Sequence, residues 1–146
     1  MAGISLQIFL ACLLLSSGKR QAGDSVAVHV TVGGFRNSVG MCRLLLFDRD
    51  KGFPDTPEEA IVMRSDSVHG KAAAFSFKVG PGRYAISVFH DENGNGTVDK
   101  TWYGKPKEGV GASNNPKSRL GAPGFEESAV LLDENHHELT ILLNYL

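Results

Sequence analysis

The sequence predicts an all-β protein, an antiparallel β-sandwich of about seven strands. Three observations carry that prediction. Short stretches of apolar residues at every second position recur along the chain, each ended by Gly, Pro, Asn or Asp. Helix-length amphipathic patterns are missing after residue 25. Glycine is abundant, 17 of 146 residues, as suits strands joined by turns.

The first strand is Ser25 to Val32, with Val26, Val28, Val30 and Val32 on one face and Ala27, His29 and Thr31 on the other. Gly33-Gly34 ends it. Met41 to Phe47 is almost wholly apolar, which suits a central strand covered on both faces. Asp48 to Glu59 is a polar loop, and Ala60 to Arg64 is a short edge strand. Lys71 to Val79 alternates again through Ala73, Phe75, Phe77 and Val79. Gly80-Pro81-Gly82 turns the chain into Arg83 to His90, apolar on both faces and therefore central. Asp91 to Phe125 is a long Gly-, Asn- and Pro-rich stretch, and loops of that length are usually functional. Ser128 to Leu132 and Glu138 to Tyr145 complete the set, the last with Leu139, Ile141, Leu143 and Tyr145 in step.

The length suits one domain, residues 25–146, behind a secretory signal at residues 1–18. Ile4 to Leu15 is an apolar run too short to span a bilayer, followed by the small residues Ser16-Ser17-Gly18. The protein is therefore expected to be exported, periplasmic or extracellular, with no integral membrane span in the mature chain. No basic residue precedes the run, and Lys19-Arg20 follow it, so an uncleaved anchor is the rival reading. Cys12 would leave with the signal, and Cys42 would remain as a small buried hydrophobe. A net charge of −1 with scattered basic residues makes no electrostatic case for nucleic acid or for an anionic membrane surface.

The most informative run is His90-Asp91-Glu92-Asn93-Gly94-Asn95-Gly96-Thr97-Val98-Asp99. Asp91, Asn93 and Asn95 take positions 1, 3 and 5 of a calcium loop, and Gly96 falls at position 6, where the sharp turn needs it. Thr97 offers a backbone carbonyl at position 7, and Asp99 stands at position 9. The bidentate Glu expected at position 12 is Trp102, so Glu108 is the candidate for the missing carboxylate. Glu92 is out of step and points away from the ligand face. So few carboxylates imply weak binding, with Kd on the order of 10⁻⁴–10⁻³ M. Against the Ca²⁺ reading stands a metal-free loop, because Asn and Asp also cap their own turns.

The Pro81-Gly82-Arg83-Tyr84 turn, the run from Phe89 to Gly96, Gly104 to Gly111 and Ser113-Asn114-Asn115 together resemble a bacterial family of exported proteins, domain of unknown function 2141. The resemblance extends from the first strand to the closing Leu143-Asn144-Tyr145. It implies a β-sandwich similar to transthyretin-like and carboxypeptidase-regulatory-like modules, and no established activity. The family usually has an aromatic where Val110 stands, and an aromatic or bulky residue where Ala112 stands. The hydroxyisourate hydrolases of transthyretin fold end in Tyr-Arg-Gly-Ser, whereas this chain ends Asn144-Tyr145-Leu146.

Three functions remain open. The leading one is a binding or accessory module with a metal-stabilised loop. The second is a hydrolase-like enzyme using His90, Asp91 and Glu108 between the Asp91 loop and Ser113–Asn115. On a strand, however, residues 90 and 91 point to opposite faces. The third is a structural surface domain. Trp102 and Tyr103 are expected to pack the long loop onto the sandwich, with stacking on a sugar or peptide as the alternative.

Overall fold

β1 (Val26–Gly33) is the cleanest strand of the chain: its four valines are at most 5% exposed and the residues between them face solvent. The structure, a computed structural model, describes residues 25–117 and 121–146. The expected signal at residues 1–18, with Cys12, lies outside the described residues. β2 (Met41–Phe47), β3 (Val62–Ser67), β4 (Ala72–Val79) and β5 (Gly82–Asp91) follow. β6 (Val110–Ala112), a helical turn α1 (Phe125–Ser128), β7 (Val130–Leu132) and β8 (Glu138–Leu142) complete the order.

Two sheets face each other. One has the order β4-β1-β8; the other has β3-β2-β5-β6, with β7 beside the first residues of β5. The all-β sandwich is thus present, with eight strands. β6 is the addition, hidden inside the stretch read as irregular. One pairing departs from the antiparallel expectation: β8 runs parallel to β1, with Val30 opposite Leu139 and Val32 opposite Ile141. Parallel neighbours need a long connection. Here β1 and β8 are joined through most of the chain, so the closing strand is free to take that direction.

Val28, Val30, Val32, Phe75 and Phe77 of the first sheet meet Cys42, Leu44, Leu46, Ile86 and Val88 of the second. Each fully buried side chain of this size contributes about 1.5–3 kcal/mol. The other face of β2 and β5 carries Leu45, Phe47, Ala85 and Phe89 and needs its own cover. Phe53 from the loop after β2 and Val98, Val110 and Phe125 from the long segment supply it. The long segment is therefore the lid of a second apolar layer as well as a loop. Among the described residues no helix is long and apolar enough to cross a membrane.

Candidate functional site at the Asp91 loop

The last residue of β5 carries the site. Arg43 on β2 lies opposite Phe89, which makes Asp91 its diagonal neighbour on the same sheet face. Arg43 Nε donates to Asp91 Oδ2 at 2.8 Å, and its Nη1 reaches Ser65 Oγ at 3.0 Å. The Asp91 side chain is fully buried. It also accepts the Asn95 N–H on Oδ1 at 3.0 Å and the Gly96 N–H on Oδ2 at 2.9 Å. A carboxylate with two backbone donors and a guanidinium closes the loop around itself.

The other loop residues continue that pattern. Asn93 Oδ1 accepts the Asn95 N–H, and Asn95 Oδ1 accepts the Thr97 N–H, both at 3.0 Å. Their amide groups donate to Asp99, from Asn93 at 2.5 Å and from Asn95 at 2.9 Å. Glu108, 4% exposed, folds back onto the loop. It accepts the N–H of Glu92 at 2.9 Å and of Asp99 at 3.1 Å, so one carboxylate ties both ends together. All six expected residues, Asp91, Asn93, Asn95, Thr97, Asp99 and Glu108, thus belong to one hydrogen-bonded loop. Their described side-chain acceptor contacts are with the loop's own N–H groups, with the Thr97 hydroxyl, which donates to Asn95 Oδ1 at 3.2 Å, and with Arg43. Among the described residues, no three Asp, Glu, His or Cys side chains are grouped so that they could hold a metal ion.

Glu92 turns away, as its step in the run predicts. Its carboxylate takes Arg36 and the Asn37 amide, the latter at 3.0 Å. Burial pushes the Glu92 carboxyl up, but the bonds from Asn37 and Arg36 outweigh it and leave the group below the usual range.

His90, fully buried, faces the opposite way. Nε2 meets the Val39 carbonyl at 2.6 Å, which only accepts, so Nε2 carries a proton. Tyr145 Oη accepts the Arg36 N–H at 3.1 Å and shares a hydrogen bond with Nδ1, 2.8 Å away. Both ring nitrogens are spent on tying the C-terminal strand to the loop after β1. Gly40 makes this possible: its φ is +76°, and a Cβ there would lie 2.1 Å from the Asp91 carbonyl.

Ser113 lies apart from His90. Its Oγ accepts the Ile86 N–H at 2.9 Å and donates to the Ser128 carbonyl at 2.5 Å. Asn114 and Asn115 adopt positive φ, 65° and 42°, which Asn tolerates better than most residues. Asn115 then bridges β8, giving its amide to Thr140 O and accepting from Leu142 N, both at 2.8 Å.

Beyond the loop, the chain makes a short hairpin closed by a bridge between Lys100 and Pro106. The Thr101 carbonyl accepts the Gly104 N–H at 2.9 Å, and its hydroxyl accepts the Lys105 N–H at 3.0 Å. Trp102 and Tyr103 occupy the apex, 95% and 61% exposed, with rings edge to face at 5.2 Å. The expectation that they pack the loop onto the sandwich is corrected. Val98, Val110 and Phe125 do that work, packing against Leu45, Phe47, Ala85 and Phe89, while Trp102 and Tyr103 stand exposed.

The features that carried the resemblance now have physical roles. A family model described as "Uncharacterized protein conserved in bacteria (DUF2141)" matches residues 30–140. The chain belongs to DUF2141. No curated protein and no solved structure matches it. In this DUF2141 chain, a Cβ on Gly109 would stand 2.5 Å from the Tyr145 ring, and one on Gly111 2.7 Å from the Leu142 carbonyl. The two glycines let β6 slide under the C-terminal strand, where Val110 and Asn144 exchange bonds of 3.0 and 2.8 Å. Sequence reasoning missed Arg43, a charge inside an apolar strand, which was the one available signal. It also missed Arg36 and Asn37, which carry no pattern of their own.

Proposed function

We propose that this DUF2141 domain is a binding module whose ligand-facing element is the Lys100–Pro106 hairpin, braced from below by the Asp91 loop. One observation supports this reading above the rest: an ordered turn holds Trp102 almost fully in water, beside Tyr103. A tryptophan left uncovered forgoes a large apolar burial, which a partner would recover. The polar groups that invited an enzyme reading, on His90, Asp91, Glu108 and Ser113, are engaged in holding loops and strands together. Export to the periplasm or beyond, expected from residues 1–18, and a transthyretin-like ancestry belong to the same proposal.

Trp102 is the single tryptophan, so it reports on its own surroundings. With 5-fluorotryptophan incorporated, one ¹⁹F resonance describes the tip. Adding bacterial envelope fragments, which contain lipid, glycan and protein, should broaden that resonance. A resonance unchanged by excess fragments overturns the reading.

A second reading places weakly bound Ca²⁺ in the loop. Asp91, Asp99 and Glu108 put three carboxylates in one loop against the single guanidinium of Arg43, and this charge imbalance supports it, although the three are not grouped to hold an ion as they stand and would have to draw together. The amides of Asn93 and Asn95 would have to turn away from Asp99. With Kd near 1 mM, 10 mM Ca²⁺ would stabilise the fold by about 1.4 kcal/mol. Calorimetric titration, with melting in Ca²⁺ against EDTA, tests it; no heat and no shift at 10 mM defeat it.

A further inference from the structure

The apex has a chemistry of its own. From Lys100 to Lys107 the chain carries three lysines, a tryptophan and a tyrosine, and no acid. Lys100 is held by Asp55. Lys105 and Lys107 are exposed, and neither makes an ion pair among the described residues. The carboxylates nearest in sequence are occupied at the base: Asp99 by the Asn93 and Asn95 amides, Glu108 by two backbone N–H groups.

We infer that this hairpin docks on the interface of an anionic lipid bilayer, with Trp102 and Tyr103 seated among the headgroups and Lys105 and Lys107 on their phosphates. The inference rests on the reading of the hairpin as the binding element. Shape separates a bilayer from a sugar chain. The two rings stand at 83° to each other, so they form a wedge and not the flat platform on which a glycan stacks. The wedge sits at the turn of the hairpin, where Trp102 is 95% and Tyr103 61% exposed, so both rings are open to a surface. Tryptophan and tyrosine suit the headgroup level, where an apolar body and a polar tip are both satisfied. The basic residues are scattered over the chain as a whole, whose net charge is −1, but not at this tip, where exposed Lys105 and Lys107 stand together and complement the surface locally. Attraction of this kind needs only basic residues within a Debye length of the surface.

The test reads the emission of Trp102 in the full chain, with phosphatidylglycerol and with phosphatidylcholine vesicles. The apolar run Ile4–Leu15 also favours lipid, so sedimentation alone does not isolate the tip. Quenching of Trp102 by bromolipid does. Phosphatidylglycerol should shift the emission to the blue and bromolipid should quench it, with phosphatidylcholine far weaker. Lys105→Gln and Lys107→Gln should each weaken partition about fivefold, about twenty-five-fold together. Their circular dichroism and melting should match wild type, because both side chains stand in solvent. Emission unmoved by phosphatidylglycerol overturns the inference. So does an equal response to the two lipids, or partition indifferent to the lysine changes. A shift with cellohexaose and none with vesicles also overturns it, yet leaves the binding module standing. If envelope fragments too leave Trp102 unchanged, both readings fall.

Discussion

Asp91→Ala separates a loop built on its own hydrogen bonds from one that waits for a metal. In the folded protein the Asp91 carboxylate is fully buried and carries three bonds, from Arg43 Nε and from the amides of Asn95 and Gly96. Hydrogen bonds to a charged group contribute about 1.5–3 kcal/mol each. Breaking a buried ion pair from one side costs about 3–5 kcal/mol. Arg43 is 27% exposed and keeps Ser65, and the freed loop amides can turn to water, so the low end applies. The expected loss is about 3 kcal/mol without calcium, or about 12 °C in melting temperature for a domain of this size. Asp99→Ala is the control. Its carboxylate takes only the amides of exposed Asn93 and Asn95, so the loss should stay within about 1 kcal/mol. Urea unfolding should be followed by far-ultraviolet circular dichroism, since exposed Trp102 is a poor reporter of unfolding. A double-mutant cycle with Arg43→Met should show coupling above about 1 kcal/mol. Equal losses at Asp91 and Asp99 in EDTA, or no coupling to Arg43, would refute this account of the loop.

Three further outcomes are expected. Burial pushes the Cys42 thiol up to about 12, with the Asp66 charge adding to it. In a Cys12→Ser background the folded protein should therefore ignore Ellman's reagent at pH 8 and release one equivalent once unfolded. Glu92→Gln should lower stability by about 1 kcal/mol at pH 7, given its partly solvated pairing with Arg36. Because the folded carboxyl titrates below its unfolded value of about 4.3, that contribution is present above this pH and fades as pH falls through the folded value; the urea midpoints of Glu92→Gln and wild type should converge as the pH is taken below it. Gly109→Ala should cost about 1–3 kcal/mol through its collision with the Tyr145 ring, and Gly109→Ala with Tyr145→Ala should cost less than the sum of the two.

Most strands were legible because a half-buried strand writes its two faces into alternate residues. Val26 to Val32 and Ala73 to Phe77 show this directly. β5 was legible as central because Ala85, Ser87 and Phe89 match Tyr84, Ile86 and Val88 in their suitability for burial. β6 was not: three residues, two of them small, carry no period, and they form a strand only because β5 and Asn144 offer partners. That Asp91, Asn93, Asn95, Thr97 and Asp99 form one loop was legible, since Asx turns and positive-φ glycines are local chemistry; Arg43, Arg36 and Asn37 around it were not. The fold-back of Glu108 was a sequence expectation that the tertiary contacts then specify.

The sequence by itself determined seven of the eight sheet-forming segments, the family and the residues of the Asp91 run, because alternation, turn residues and Asx spacing act over a few neighbours. Only the tertiary structure decided what faces those residues across the sheet. Arg43 reaches Asp91 through strand pairing, from 48 positions away. Tyr145 reaches His90 across 55 positions. Trp102 stays in water because other side chains already cover the outer face of β5. Burial and long-range pairing are properties of the packed sheets, and no local pattern encodes them.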